Sequence, residues 1–349
     1  VKGNTLSYDS ENHNQTLLAL KPPKRERPLV AIIGINDATE TNDYLMPLGI
    51  LRRSDVVDVM ALATNSGPVK LFPALCVEPD ATVAQFDAQY PEGPDYVIVP
   101  AMSRDDDFVA LEWIRKQAGR GATIIGVCAG AKVVAEAGLL NGKQATTHWY
   151  YLKQMLSRHP SIQYVPDRRF VIDEGIVTTT GITASIPTML TLIEAIAGRA
   201  KAEDVARDLG VTHWDAHHHS TDFTMNRPFG LTVLGNTLAF WNREQFGIEL
   251  TAGVDEVSLA LVADAWSRTY RSRAVTFSNS AEAVTTRHGV RIVPDRIVTD
   301  WPRERLVSVN RDATPTQNLD QTLQAIESRY GPHTAMVVAM QLEYPRPRA

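Results

Sequence analysis

Cysteine is scarce in this chain: only two occur among 349 residues, Cys76 in an apolar strand-like run and Cys128 farther on. A dense disulfide scaffold is therefore excluded. Long apolar runs are also missing, because no stretch reaches the roughly 18 uninterrupted apolar residues that a membrane-spanning helix requires. Nor is there an excess of positive charge. The formal net charge is -5 and the pI is near 6.0, which leaves no electrostatic footprint for nucleic acid. The one basic cluster, Lys21 to Arg27, holds Pro22 and Pro23 and precedes Pro28, so it reads as a linker. What remains is a chain with 44% hydrophobic residues, long enough for a sizeable core and, by length, about two domains.

Residues Val1 to Arg27 are polar, rich in Asn, Ser and Lys, and read as a tail or linker. Such a stretch is expected where an upstream signal or anchor has been removed, which points to a periplasmic or other extracytoplasmic location. A chain trimmed for crystallisation would look the same, so a cytoplasmic location stays open.

From Leu29 onward, strand and helix patterns alternate. Leu29 to Gly34 is an apolar strand, Asp43 to Arg53 has helical spacing, and Val56 to Ala63 returns to strand. Asp95 to Pro100 predicts a third strand, Asp107 to Ala118 a helix, and Ala122 to Val127 a fourth strand. Ile176 to Thr180 and Ile186 to Ile196 add another strand and helix. Near-continuous apolar strands in this order predict an α/β fold with a doubly wound parallel sheet covered on both faces. Ligands bind such sheets beyond the carboxyl ends of the strands.

Cys128 lies at one of those ends, in Gly126-Val127-Cys128-Ala129-Gly130-Ala131. The strand breaks at the cysteine and a helix follows through Val133, Val134 and Ala137, the pattern of a nucleophile elbow. Such a turn strains the residue that bears the side chain, so Gly126 and Gly130 supply the space. The following helix aims its N-terminal amides at the sulfur and favours thiolate. The competing reading is a buried cysteine that ends a core strand.

Four stretches, in order, resemble the ThiJ/PfpI superfamily of flavodoxin-like proteins, related to class I glutamine amidotransferases. They are Asp43-Tyr44-Leu45-Met46-Pro47, the elbow, Ala145-Thr146-Thr147-His148-Trp149, and Thr178-Thr179-Thr180-Gly181-Ile182-Thr183-Ala184. The match covers about Leu29 to Leu209. The Thr-Thr-His-Trp stretch is similar to the branch of isonitrile hydratases and GlxA-type amidase-like sensor domains, which carry an AraC-type DNA-binding domain that this chain does not show. The resemblance implies that Asp43 reaches the elbow sulfur as proton donor or acceptor, with Glu40 as the competing acid. It places His148 near the sulfur, as a general base or as a structural or substrate-contact residue; both remain open. It also implies an oxyanion hole from the backbone amides of Ala129 and of Ala101 or Met102.

Two departures bear on function. Ala129 stands where the peptidase-like branch has a histidine, which argues against proteolysis. Pro100-Ala101-Met102-Ser103 replaces a Gly-Gly pair, so the oxyanion loop is less permissive.

The second half echoes the first. Ala274 to Asp295 follows Val59 to Asp80 at a constant offset of 295 − 80 = 215, and Leu319 to Leu342 follows Ile186 to Leu209 at 331 − 198 = 133. A second, truncated copy without elbow or nucleophile is expected, packed on the first or across a dimer interface. Glu256 or Ser258 would take the position of Asp43. Three segments result: a tail at 1–27, an elbow domain at 28–210 and a degenerate copy at 211–349. Between the copies, His213 and His217 share a helical face and are weak metal candidates in a run better explained as a surface cluster. No cofactor is expected.

Two function classes fit. One is a cysteine-dependent small-molecule hydrolase or hydratase acting on an electrophilic carbon, such as that of an isonitrile, amide or reactive carbonyl. The other is a non-catalytic module that binds a ligand or senses redox state at the same elbow. A small-molecule ligand and a homodimer are the expected partners, with no nucleic acid.

Overall fold

The computed structural model describes residues 3–214 and 243–345, with side chains from residue 11 onward. Its largest sheet has seven strands, in the spatial order Phe170–Asp173, Ile176–Thr179, Thr123–Gly126, Tyr96–Val99, Leu29–Gly34, Asp58–Ala63 and Ala81–Thr82. All neighbours are parallel except the edge strand Phe170–Asp173, which pairs antiparallel with Ile176–Thr179. The central strands Leu29–Gly34, Tyr96–Val99 and Thr123–Gly126 are buried along their whole length. This is why they read as continuous apolar runs rather than alternating ones.

Each face carries its own core. One core packs Ala31, Ile33, Val97, Val99 and Ile124 against the helices Val83–Gln89, Phe108–Gly119 and Gly130–Glu136. The other packs Val30, Ile32, Ile98 and Ile125 against Thr41–Ser54 and Ser185–Ala197. The doubly wound α/β expectation therefore holds.

A second α/β region follows. Glu244–Glu249, Ser272–Ser278 and Arg296–Ile297 form a three-stranded parallel sheet. The helices Glu256–Ser267, Pro315–Tyr330 and Pro332–Leu342 accompany it. It packs on the first region within the same chain: Leu45, Leu48, Val257 and Leu261 belong to one continuous core. A Cβ on Gly49 would lie 2.6 Å from Val257 Cγ2, so glycine lets Thr41–Ser54 and Glu256–Ser267 approach closely. A five-stranded arm, Val284–Thr285, Arg291–Ile292, Cys76–Glu78, Val69–Phe72 and Thr39–Glu40, also crosses the seam.

The tail is a correction. Gly3–Ala19 is helical, and the basic segment after it is strapped to the sheet rather than free. Arg25 pairs with the buried Asp95 at 2.9 Å, Arg27 bonds Asp55 and Asp58, and Tyr96 donates to the Leu20 carbonyl at 2.6 Å. The basic residues that looked like a linker in sequence find acidic partners at the start of the sheet. Among the described residues, no helix is long and apolar enough to cross a membrane.

Candidate active site

Cys128 sits where the Thr123–Gly126 strand turns into the Gly130–Glu136 helix, and its φ is +57°. A non-glycine residue in this region carries roughly 1–3 kcal/mol of strain. The two glycines make the turn possible. A Cβ on Gly130 would fall 1.9 Å from the Val99 carbonyl oxygen, and one on Gly126 would crowd Ala131 and Val134 at 3.0 Å. Cys128 N donates to Thr179 Oγ1 at 3.0 Å, and Thr147 Oγ1 donates to the Cys128 carbonyl at 2.9 Å. The Thr-Thr stretches on either side of the elbow thus clamp its backbone.

The sulfur lies in a protein interior, with Cys128 only 4% exposed. Burial pushes its thiol well above the ordinary value, and the carboxylates of Asp43, Glu40 and Glu343 push in the same direction. The Ala129 amide, which donates to the sulfur, pulls the other way. The thiolate expected from the helix terminus is therefore outweighed: at rest Cys128 holds its proton. The following helix is short, and burial beside three acids dominates.

Asp43 is wholly buried in the first turn of Thr41–Ser54. Its Oδ2 accepts from Ala101 N at 3.0 Å, while Oδ1 has no hydrogen-bond partner among the described residues. Burial raises its pKa to about 7, against the pull of the Ala101 amide and Arg268. Glu40, the competing acid, is the N-cap of the same helix, its Oε2 accepting from Asp43 N at 2.6 Å. Burial and Asp43 raise its pKa well above the carboxylate range.

One placement differs from expectation. The Ala101 amide serves Asp43 rather than an oxyanion. Met102 lies opposite Thr39 in an isolated antiparallel bridge made by Glu40 N to the Ala101 carbonyl and Ser103 N to the Ala38 carbonyl, and the Ala129 amide acts on the sulfur. His148 is buried with both ring nitrogens engaged: Nε2 donates to the Gln341 carbonyl at 2.9 Å, and Nδ1 accepts from Tyr150 N at 3.2 Å. Burial lowers its pKa, so it is a neutral, structurally committed ring rather than a free base.

The second region closes the site. Arg268 Nη2 donates to Glu40 Oε1, and its Nε bonds Asp264 Oδ1 at 2.5 Å. Glu343 accepts from Gly181 N at 2.6 Å and from Trp149 N at 3.2 Å. Both regions thus contribute: Cys128, Asp43, Glu40 and the Ala129 amide come from the first, and Arg268, Asp264 and Glu343 from the second.

Residues 30–195 match the family model for the DJ-1/PfpI family. Residues 30–195 form a DJ-1/PfpI family domain. Relatives of the chain include the HTH-type transcriptional regulator CdhR of Pseudomonas aeruginosa, 30% identical over 193 residues, or 51% of this chain and 51% of that one. The isonitrile hydratase of Pseudomonas putida is 38% identical over 105 residues, 30% of this chain and 44% of the hydratase. The alignments thus span about half the length of these two relatives. Drosophila melanogaster protein dj-1beta is 23% identical over 188 residues, 52% of this chain and 97% of its own length. The crystal structure of Drosophila melanogaster DJ-1beta superposes with a TM-score of 0.48 at 24% identity, covering 54% of this chain and all of that one.

Several residues around the DJ-1/PfpI elbow were not foreseen. Arg268, Asp264, Gln341 and Glu343 come from the second region, and no motif marks them. The offset of 215, extended by a few residues, would have paired Arg268 with Arg53. Of the weak metal candidates, His213 is exposed and His217 lies outside the described residues. Elsewhere, Asp255, Glu256 and His288 bring ligand atoms within 4.8 Å of one another. Those atoms already serve internal partners, since Arg53 holds Asp255 and His288 holds Glu256.

Proposed function

We propose that the DJ-1/PfpI domain is a cysteine-dependent hydratase or hydrolase for small molecules with an electrophilic carbon, with Cys128 as nucleophile and Asp43 as proton shuttle. The observation that carries this reading is a carboxyl of pKa about 7 held by the Ala101 amide in the same buried acid group as a strained thiol. An acid poised near neutrality both takes and gives a proton at physiological pH. The neutral, fully bonded His148 leaves that work to Asp43.

For an isonitrile the steps balance as follows. The thiol proton passes to Asp43 and on to the terminal isonitrile carbon, while sulfur bonds that same carbon, giving a thioimidate. Water then adds to the carbon and its protons pass to nitrogen and sulfur. The carbon–sulfur bond breaks, releasing a formamide and restoring the thiol. The Ala129 amide steadies negative charge on sulfur as it leaves. Amides and reactive carbonyls would use the same pair, with the oxyanion in place of the isonitrile nitrogen.

Deep burial of the sulfur supports a second reading, a ligand-binding or redox-sensing module in which Cys128 is modified without turnover. A panel of isonitriles, amides and α-oxoaldehydes separates the two. Turnover by wild type that disappears in Cys128→Ser and Asp43→Asn supports the enzyme. No turnover on any substrate, with peroxide-driven mass gain confined to Cys128, supports the sensor.

A further inference from the structure

The two regions of the chain repeat each other's wiring at the 215-residue offset. Leu62 pairs with Ala81 and Ala63 with Thr82; likewise Phe277 pairs with Arg296 and Ser278 with Ile297. Val69 pairs antiparallel with Val77 and Lys70 with Cys76; likewise Val284 pairs with Ile292 and Thr285 with Arg291. Asp80 exchanges hydrogen bonds with the Ala61 backbone, and Asp295 exchanges the same bonds with the Thr276 backbone. At the 133-residue offset, Gly198 and Gly331 join paired helices with φ/ψ of 93°/167° and 92°/166°. Chance similarity of two α/β segments does not reproduce pairings residue by residue.

The seam has the geometry of a twofold. Val77 pairs antiparallel with Ile292, its own counterpart, and Thr41–Ser54 packs against Glu256–Ser267, its counterpart helix. The N-caps of these helices, Glu40 and Asp255, correspond, and so do Arg53 and Arg268. Each arginine reaches across the seam to the other helix's cap: Arg53 to Asp255, and Arg268 to Glu40. The symmetry ends at the chemistry. Ser258 stands where Asp43 would be, and among the described residues the second sheet has no strand to carry an elbow. Arg53 therefore braces a cap with nothing to serve. Arg268 braces the cap whose other oxygen holds Asp43 N.

We propose that the second region is a nucleophile-free copy of the first, fused in the place of a twofold partner, and that its Arg268 is a positioning residue that holds Glu40, and through it Asp43, against Cys128. The proposal rests on the reading of Cys128 as the reactive thiol. Arg268 is the cation in a buried group that includes Glu40, Asp43, Asp264, Glu343, Cys128 and the neutral His148. Its backbone carbonyl also accepts from Gln341 Nε2, and Gln341 in turn receives His148. Removing the guanidinium leaves Glu40 without its cation. Glu40 then grips the Asp43 amide less firmly, and a thiolate at Cys128 loses the nearby positive charge that favours it, so the thiol becomes harder to ionise.

The test is the pH dependence of Cys128 alkylation by iodoacetamide, followed by mass spectrometry on the full chain without substrate. Arg268→Gln is expected to slow alkylation about tenfold at pH 8, corresponding to an upward shift of about one pH unit. Arg268→Lys should fall between this variant and wild type. Arg53→Gln breaks the mirror-image bridge and is expected to leave the profile unchanged. In a Glu40→Gln background, removing Arg268 should have a smaller effect than in wild type, because part of that effect passes through Glu40. Equal profiles for the Arg53 and Arg268 variants, or a full Arg268 effect without Glu40, overturn the proposal alone. If Arg268→Gln does not fold, a wild-type profile for Arg268→Lys together with one for Glu40→Gln overturns it. A wild-type Cys128 that shows no pH-dependent reaction sinks both this proposal and the reading beneath it.

Discussion

Two buried helix starts lie at the seam, each facing the other helix's end, and they treat charge in opposite ways. At Thr41–Ser54, burial drives Asp43 to about 7 and Glu40 well above its usual value, and Asp43 Oδ1 is left unpartnered. At Glu256–Ser267, Glu256 is equally buried, yet its pKa is lowered, because the His288 ring and backbone both donate to it and outweigh desolvation. Burial alone therefore does not decide the protonation of an acid; the supply of donors does. The start with too few donors keeps a mobile proton beside a nucleophile. The start with enough donors keeps a fixed charge, and it does structural work.

The sharpest way to break this contrast is to remove the mobile proton. Asp43→Asn is expected to lower kcat/KM by roughly 10²- to 10⁴-fold, while Ser258→Ala, at the position the proposed duplication pairs with it, leaves it unchanged; steady-state kinetics on the best substrate of the panel decides. Next in size is the core shared by the two starts. Leu261→Ala should cost about 2–5 kcal/mol in urea unfolding, since Leu261 is fully buried in the core that joins the regions. Depriving the donor-rich side should cost less. His288→Ala is expected to lose about 1–3 kcal/mol by the same assay, as Glu256 is left short of donors, and it should not alter turnover.

The smallest effect is one of slope. Asp43 titrates higher when folded than the 3.8 of an ordinary aspartate, so the stability it lends is complete below pH 3.8 and is lost as pH rises through about 7. Glu256 titrates below 4.5, so its contribution is present above that value and is lost as pH falls through its depressed folded value. Urea midpoints against pH should therefore be flatter for Asp43→Asn between about pH 4 and 7, and flatter for Glu256→Gln only on the acid side. Identical slopes for both variants would erase the distinction between the two starts.

Much of this arrangement was legible in the sequence. The strands Leu29–Gly34, Tyr96–Val99 and Thr123–Gly126 announced themselves because both of their faces are buried, and the elbow did so because Gly126 and Gly130 stand where only hydrogen fits. Asp43 was found by resemblance rather than spacing. The edge strand Phe170–Asp173 escaped notice, its half-buried end breaking the apolar run. Arg268 and Glu343 escaped for a different reason: they contact residues 228 and 162 positions away, through Glu40 and Gly181, where local pattern carries no signal. The helical Gly3–Ala19 was also unreadable as structure, because its polar sequence carries little apolar periodicity. The commitment of the His148 ring to the carbonyl of Gln341, 193 positions away, was equally out of reach of local pattern.

Because Glu256–Ser267 meets Thr41–Ser54 inside one polypeptide, the brace behind Glu40 arrives at an effective concentration fixed by the intervening chain and not by the amount of protein present. Dilution that would strip one subunit from another leaves this contact intact, so the elbow should behave alike at nanomolar and micromolar protein. Tethering also frees the two sides to drift apart. On the duplication proposed above, a substitution in one half need not be mirrored in the other, as it must be when a single gene product pairs with itself, and a serine can settle where its proposed counterpart is an acid.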